Sequence, residues 1–154
     1  MRVRVMVLAL VVFLLDQLSK LAVLHWLRPL GSIEMPGGFW SLTYSENTGG
    51  AFSLMAGHNH LFVIFGLVVT GGLLYAIRST EDLTLAHSYA FGLILGGAAG
   101  NLLDRIRHNF VVDFLDFKVW PVFNLADSGI TIGIVILVVL MVLEGRNQPA
   151  ESQA

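Results

Sequence analysis

The sequence predicts an all-α integral membrane protein, with four transmembrane helices and a small sheet at the membrane surface built from the first long loop. Three observations carry that expectation. Apolar residues make up 55% of the 154 and charged residues only 13%, against roughly a quarter charged in a soluble domain, and the mean hydropathy is +0.74. Four stretches, at about 3–24, 59–77, 86–104 and 126–144, reach or approach the roughly 20 helical residues that cross a hydrocarbon core. The loops between them alternate long, short and long, and functional material is expected on the long-loop side, at about 25–58 and 105–125. No internal repeat or low-complexity segment divides the chain, so residues 1–154 read as a single membrane-embedded domain.

Span one follows Arg2 and Arg4 and has the look of a signal peptide. No small-x-small cleavage site follows it, and Asp16, Ser19 and Lys20 interrupt its far end, which favours an uncleaved first span. In the first long loop, the turn signal "PGG" precedes "FWSLTYS", whose aromatic and β-branched residues nearly alternate and read as a strand; "ENTGGAF" reads as a turn leading to another. Spans two and three are joined by the short polar "RSTEDL". Span three carries Gly92, Gly96 and Gly100, with Gly97 and Ala99 beside them, a stripe that lets another helix approach closely and is read as scaffold. It ends "GNLLDR", where Asn101 and Arg105 share a helix face one turn apart. Span four begins with Asp127, directly before the uncharged run from Ser128 to Leu143. An unpaired carboxylate at that depth costs several kcal/mol, so it asks for a reason. An even number of spans puts both termini on one side. The basic residues divide almost equally between the two sides, and Arg2 and Arg4 favour cytoplasmic termini.

Composition excludes several classes. A net charge of -2 and a pI near 6.2 leave no basic surface for nucleic acid. Without cysteine there is no disulfide framework and no thiolate nucleophile. His25, His58, His60, His87 and His108 show no metal-ligand spacing, and no G-x-S-x-G elbow occurs. No metal and no cofactor is expected. What remains is a set of polar residues near the long-loop boundary: Asp16 and Lys20, Asn47, Asn101, Asp104, Arg105, Asp113, Asp116, Asn124 and Asp127. Asp16 and Lys20 read as an ion pair, Arg105 as a fixed cation pairing carboxylates, and Asp116 as a solvated loop charge. A close pair of aspartates shares one proton, so its ionised member can activate water while its protonated member donates to a carbonyl oxygen. That is peptide hydrolysis without a covalent intermediate. Spacing leaves open which two of Asp104, Asp113, Asp116 and Asp127 would pair. It also leaves open a small transporter that relays protons or ions through boundary aspartates.

The motifs "DQLSK", "NTGGAF", "GGAAGNLLDR", "VVDF" and "FNLADS" occur in the order and rough spacing of the lipoprotein signal peptidases, or signal peptidase II, and the chain resembles that family from residue 16 to about 130. The resemblance implies an aspartyl endopeptidase that removes the signal peptide from diacylglyceryl-modified prolipoproteins, cutting before the lipid-modified cysteine. It implies Asp113 and Asp127 as the catalytic dyad. Asn101, Arg105 and Asn124 fall on supporting positions, Asp16, Lys20 and Asn47 on polar positions that shape the site, and Gly50 and Ala126 within the matching motifs; Asp104 is then structural. A multi-pass protein of the bacterial cytoplasmic (inner) membrane is implied, with its active site near the extracytoplasmic face. Its partners would be prolipoproteins and membrane lipids, and it is expected to be monomeric. The stretch between Asp113 and Asp127 is short compared with many members, which bears on how the site is covered there.

Overall fold

The computed structural model describes residues 1–49 and 58–146. Among these residues, four long helices and three strands follow one another as α1 (Arg2–Ala22), β1 (Ser32–Glu34), β2 (Ser41–Asn47), α2 (Asn59–Ser79), α3 (Leu85–His108), β3 (Val111–Asp116) and α4 (Leu125–Arg146). α1 continues past its expected end as a π-helical turn over Val23–Leu27, closed by Arg28 N–H donating to Val23 O at 2.8 Å. The extension has a packing reason: Val23 and Leu27 bury themselves against Val112 and Phe114 beneath the sheet. Among the described residues, three helical segments, Arg2–Leu27, Asn59–Ser79 and Leu125–Arg146, are long and apolar enough to cross a membrane.

α3 is comparable in length but richer in small and polar residues, and it packs against the other three helices. Its glycines set those contacts. A Cβ on Gly92 would meet Leu8, one on Gly96 would lie 2.5 Å from Ala9 O, and one on Gly100 would run into the Asp16 carboxylate. The pairings advance together along both chains, so α1 and α3 run parallel. On an adjacent face a Cβ on Gly97 would lie 2.5 Å from Ala126 O, and one on Gly133 of α4 would lie 2.7 Å from Ala90 O, so α4 runs antiparallel to α3. The scaffold role expected of the stripe holds, and it serves two partners at once. α3 starts at Thr84, whose hydroxyl accepts from His87 N–H at 3.2 Å. It ends at Asn109 in the left-handed region (φ 64°), which asparagine tolerates better than most residues. The chain therefore turns sharply, and β3 begins two residues later.

The sheet has the order β1-β2-β3 and is antiparallel throughout. The expected strand in "FWSLTYS" is β2, shifted to Ser41–Asn47, so Glu46 and Asn47 extend the strand and the bend begins at Thr48. Thr48 and Gly49 form that bend, and residues 50–52 of "ENTGGAF", with the further strand expected there, lie outside the described residues. The first long loop supplies β1 and β2 of the expected sheet, and the second long loop adds β3 to it. "VVDFLD" hides its strand character because Val111 through Phe114 are all buried, which erases the polar alternation of a one-faced strand. The β2–β3 register places Ser45 opposite Asp113 and Asn47 opposite Val111, with an irregularity between Leu42 and Ser45.

Candidate functional site

Below the sheet, α1, α3 and α4 meet around buried charge. Lys20 Nζ stands 2.9 Å from Asp16 Oδ2 and 3.0 Å from Asp104 Oδ2, with all three side chains at 4% exposure or less. One cation between two carboxylates is tolerable at that depth only if the remaining lone pairs are occupied. They are. Gln17 Nε2 donates to Asp16 Oδ2 and to Asp104 Oδ1, each at 3.1 Å. Asp16 Oδ1 accepts from Ala126 N–H at 3.1 Å, and Asp104 Oδ2 accepts from Val112 N–H at 3.1 Å. The cluster thus fixes the first turn of α4 and the start of β3 to α1 and α3. Those two segments carry Asp127 and Asp113.

The asparagines connect the cluster to these two aspartates. Lys20 Nζ donates to Asn101 Oδ1 at 2.9 Å, and Asn101 Nδ2 donates to Asp127 Oδ1 at 2.8 Å. Asn124 holds both carboxylates: its Nδ2 donates to Asp113 Oδ1 at 2.6 Å, and its backbone N–H donates to Asp127 Oδ2 at 3.3 Å. Its Oδ1 accepts from Asp127 N–H at 2.9 Å, closing a helix cap at the start of α4. Asn47, at the end of β2, donates to Asp113 Oδ2 at 2.9 Å. Burial pushes the Asp113 carboxyl up to about 7 and the neighbouring Asp127 charge adds to that, against the hydrogen bonds of Asn47 and Asn124 and the charge of Lys20. A pair held this way can keep one proton through neutral pH, as general acid–base work on a peptide bond requires.

Space adjoins the pair. A cavity of about 230 Å³ is lined by Asp127, Asn101, Arg105 and Asn47, with Trp120, Pro121, Val122 and Phe123 of the short loop before α4 forming its other wall. Asp127 reaches it directly, whereas Asp113 is 1% exposed and does not line it. A second, apolar cavity of about 350 Å³ opens between α2, α3 and α4, lined by Phe65, Val69, Ile94, Leu102, Ile130 and Ile134 among others. Arg105 and Asn101 line both cavities. Among the described residues Arg105 makes no ion pair; its guanidinium lies 4.1 Å from the Phe62 ring centroid, and its Nη1 is buried without a hydrogen-bond partner. The expectation that Arg105 pairs carboxylates is therefore corrected. The aromatic face supplies its contact, leaving a donor at the junction of the two spaces.

Comparison with known proteins bears directly on this arrangement. Residues 8–143 match the model of the family described as signal peptidase (SPase) II. The chain belongs to the signal peptidase II family. The lipoprotein signal peptidase of Halothermothrix orenii is 44% identical over 140 residues, covering 89% of this chain and 94% of that protein; that of Caldanaerobacter subterraneus is 42% identical over 142 residues, covering 92% and 97%. A solved bacterial membrane enzyme, determined by the in meso method, superposes with a TM-score of 0.86 at 27% identity, covering 97% of this chain and 94% of its own. The chain is thus a membrane peptidase, and the comparisons give the transporter alternative no support.

Within this signal peptidase II fold, the residues expected at the site converge: Asp16, Lys20, Asn47, Asn101, Arg105, Asp113, Asn124, Ala126 and Asp127 share one hydrogen-bonded or cavity-lining group. Gly50 lies outside the described residues. Asp116 is not the solvated loop charge expected of it. It ends β3 and accepts from Ser41 and Thr43 hydroxyls, and the Lys118 backbone N–H holds its carboxyl below the usual range. Cross-strand pairing brings those hydroxyls to it, which spacing does not reveal. Gln17 and Phe62 were missed. Gln17 had a signal, since an amide inside an apolar span needs partners. Phe62 had none, because its contact with Arg105 exists only once α2 packs on α3. Among the described residues, no group of three His, Asp or Glu side chains is placed to hold a metal ion.

Proposed function

We propose that Asp113 and Asp127 form the catalytic dyad of an aspartyl endopeptidase that frees the signal peptide from diacylglyceryl-modified prolipoproteins, cutting before the lipid-bearing cysteine. The observation that carries the assignment is Asn124, which donates to one carboxylate through its side chain and to the other through its backbone. In this reading Asp113 keeps the shared proton up to about pH 7, and Asp127 takes a proton from water. The water oxygen bonds to the scissile carbonyl carbon while Asp113 donates its proton to the carbonyl oxygen. The resulting tetrahedral intermediate collapses as Asp127 passes the proton it took from water to the amide nitrogen, the C–N bond breaks and a hydroxyl proton returns to Asp113.

The same reading places four spans across the bacterial cytoplasmic membrane, with cytoplasmic termini and the dyad near the extracytoplasmic face. The substrate's signal helix would then present its cleavage site at the depth of Asp127. The apolar cavity between α2, α3 and α4 suits an acyl chain, and Arg105 Nη1, unpaired among the described residues, suits an ester carbonyl of the diacylglyceryl group. Since such a substrate already sits in lipid, the gain is in positioning, where small misplacements are expensive in rate. The test reconstitutes matched precursors with and without the diacylglyceryl group at equal surface density. The modified precursor should release its signal peptide, the unmodified one should be cut far more slowly, and Asp127→Asn should cut neither. Equal rates on the two precursors would refute lipid-directed positioning, and turnover by Asp127→Asn would refute the dyad.

A further inference from the structure

The end of the bundle away from the aspartates carries a second feature. α1 and α3 separate there around a cavity of about 540 Å³ lined by Val3, Val7 and Val11 on one side and Leu85 on the other, with Arg4 and Tyr89 also at its wall. Val3, Val7 and Val11 recur every fourth residue and form one face of α1, about 12 Å long at helical rise. Leu8 also lines the groove and packs on Gly92, a Cβ at which would lie 2.9 Å from Leu8 Cβ. Its apolar wall faces outward, since Val3, Val7, Val11 and Leu85 are all exposed.

The two N-terminal arginines are used differently. Arg2 is spent on α2, donating to Ile77 O, Arg78 O and Thr80 O at 3.2, 2.8 and 3.3 Å. The Arg4 side chain, among the described residues, makes one hydrogen bond, to Met1 Sδ at 3.6 Å, and no ion pair. The buried Ser88 hydroxyl donates to Thr84 O at 3.0 Å, so the cation is the strongest polar group the groove offers to a ligand. Tyr89 has the amphipathic ring found at membrane–water boundaries.

We propose that this groove is a binding site for an anionic diacyl phospholipid, one acyl chain lying along Val3, Val7, Val11 and Leu85 and the phosphodiester against Arg4. A bare helix face would take any bilayer lipid alike, whereas an apolar groove with one unpaired cation at its mouth discriminates by headgroup charge. The inference rests on α1 and α3 spanning a membrane and is independent of the assignment of the aspartates.

The test is native mass spectrometry of the full chain released from detergent micelles containing equal amounts of phosphatidylglycerol and phosphatidylcholine. The wild type should retain phosphatidylglycerol about fivefold over phosphatidylcholine, the preference of roughly one interfacial arginine. Arg4→Gln should abolish the preference, and Leu85→Trp, which fills the groove from an exposed position, should lower retention of both lipids. Glycerol phosphate should neither be retained nor displace the lipid. Preference kept in Arg4→Gln, retention unchanged in Leu85→Trp, or displacement by glycerol phosphate would each overturn the proposal. Prolipoprotein cleavage, measured on the same variants and expected unchanged, reports separately on the peptidase reading.

Discussion

Replacing Asp113 with asparagine should abolish cleavage and, at alkaline pH, make the protein more stable relative to the wild type. The sign follows from linkage. Asp113 titrates near 7 in the folded protein against an ordinary value of 3.8, so between those values the folded state binds more protons than the unfolded one. The wild type therefore loses stability as pH rises from about 4 to about 7, after which the loss is complete. With those two values, the cost grows by about 2.5 kcal/mol between pH 5 and pH 8. An asparagine does not titrate, so the stability of Asp113→Asn relative to wild type should rise by about that amount over the same interval. A constant offset lies on top. Both Asp113 oxygens accept from amide donors, Asn124 at 2.6 Å and Asn47 at 2.9 Å, and an amide at 113 turns one of these contacts donor to donor, costing about 1–3 kcal/mol at every pH. The pH-dependent difference is thus the clean quantity. Equilibrium unfolding of both proteins in a fixed detergent, at pH 5, 6, 7 and 8, measures it, with prolipoprotein cleavage followed in parallel. A flat difference across pH would refute the buried, proton-holding Asp113, and near-normal turnover would refute its place in the dyad.

Lys20→Met should destabilise the protein by about 3–5 kcal/mol in the same unfolding assay, because it strands Asp16 and Asp104 as buried carboxylates without their cation; a loss under 1 kcal/mol would show the cluster to be less buried in the membrane than it is here. Gly100→Ala places a methyl group against the Asp16 carboxylate and should cost about 1–3 kcal/mol. Its cleavage rate should fall as well, since Asp16 holds Ala126 at the start of α4, and full activity with full stability would contradict that packing. Cleavage should survive incubation with strong chelators, as carboxylates and water suffice for the proposed chemistry; loss on chelation, restored by one added divalent ion, would overturn it.

Much of the site was legible because its residues violate their surroundings. Asp127 before an uncharged run, Asp16 and Lys20 inside an apolar span, and the Asn101–Arg105 pair after a glycine stripe all stand out against membrane-length hydrophobicity, where polar groups are expensive and retained for cause. Helix existence was legible for the same reason: length and apolarity are local properties, and α2 and α4 lie within about two residues of their expected bounds. The extra turn of α1 was not, because Val23 and Leu27 stay helical through burial under a sheet distant in sequence.

By itself the sequence determined the class of molecule, the helices and the motifs that tie the chain to its family, since each depends on residue type and short-range spacing. The tertiary structure decided how those parts meet. It drew β3 from the second long loop beside β2, made Asn124 the residue that holds both Asp113 and Asp127, set Asp116 among strand hydroxyls, and left Arg105 over Phe62 with a donor unpaired among the described residues. These are contacts between residues far apart along the chain. Their energies come from burial and hydrogen-bond closure, which no single segment carries until the helices have packed.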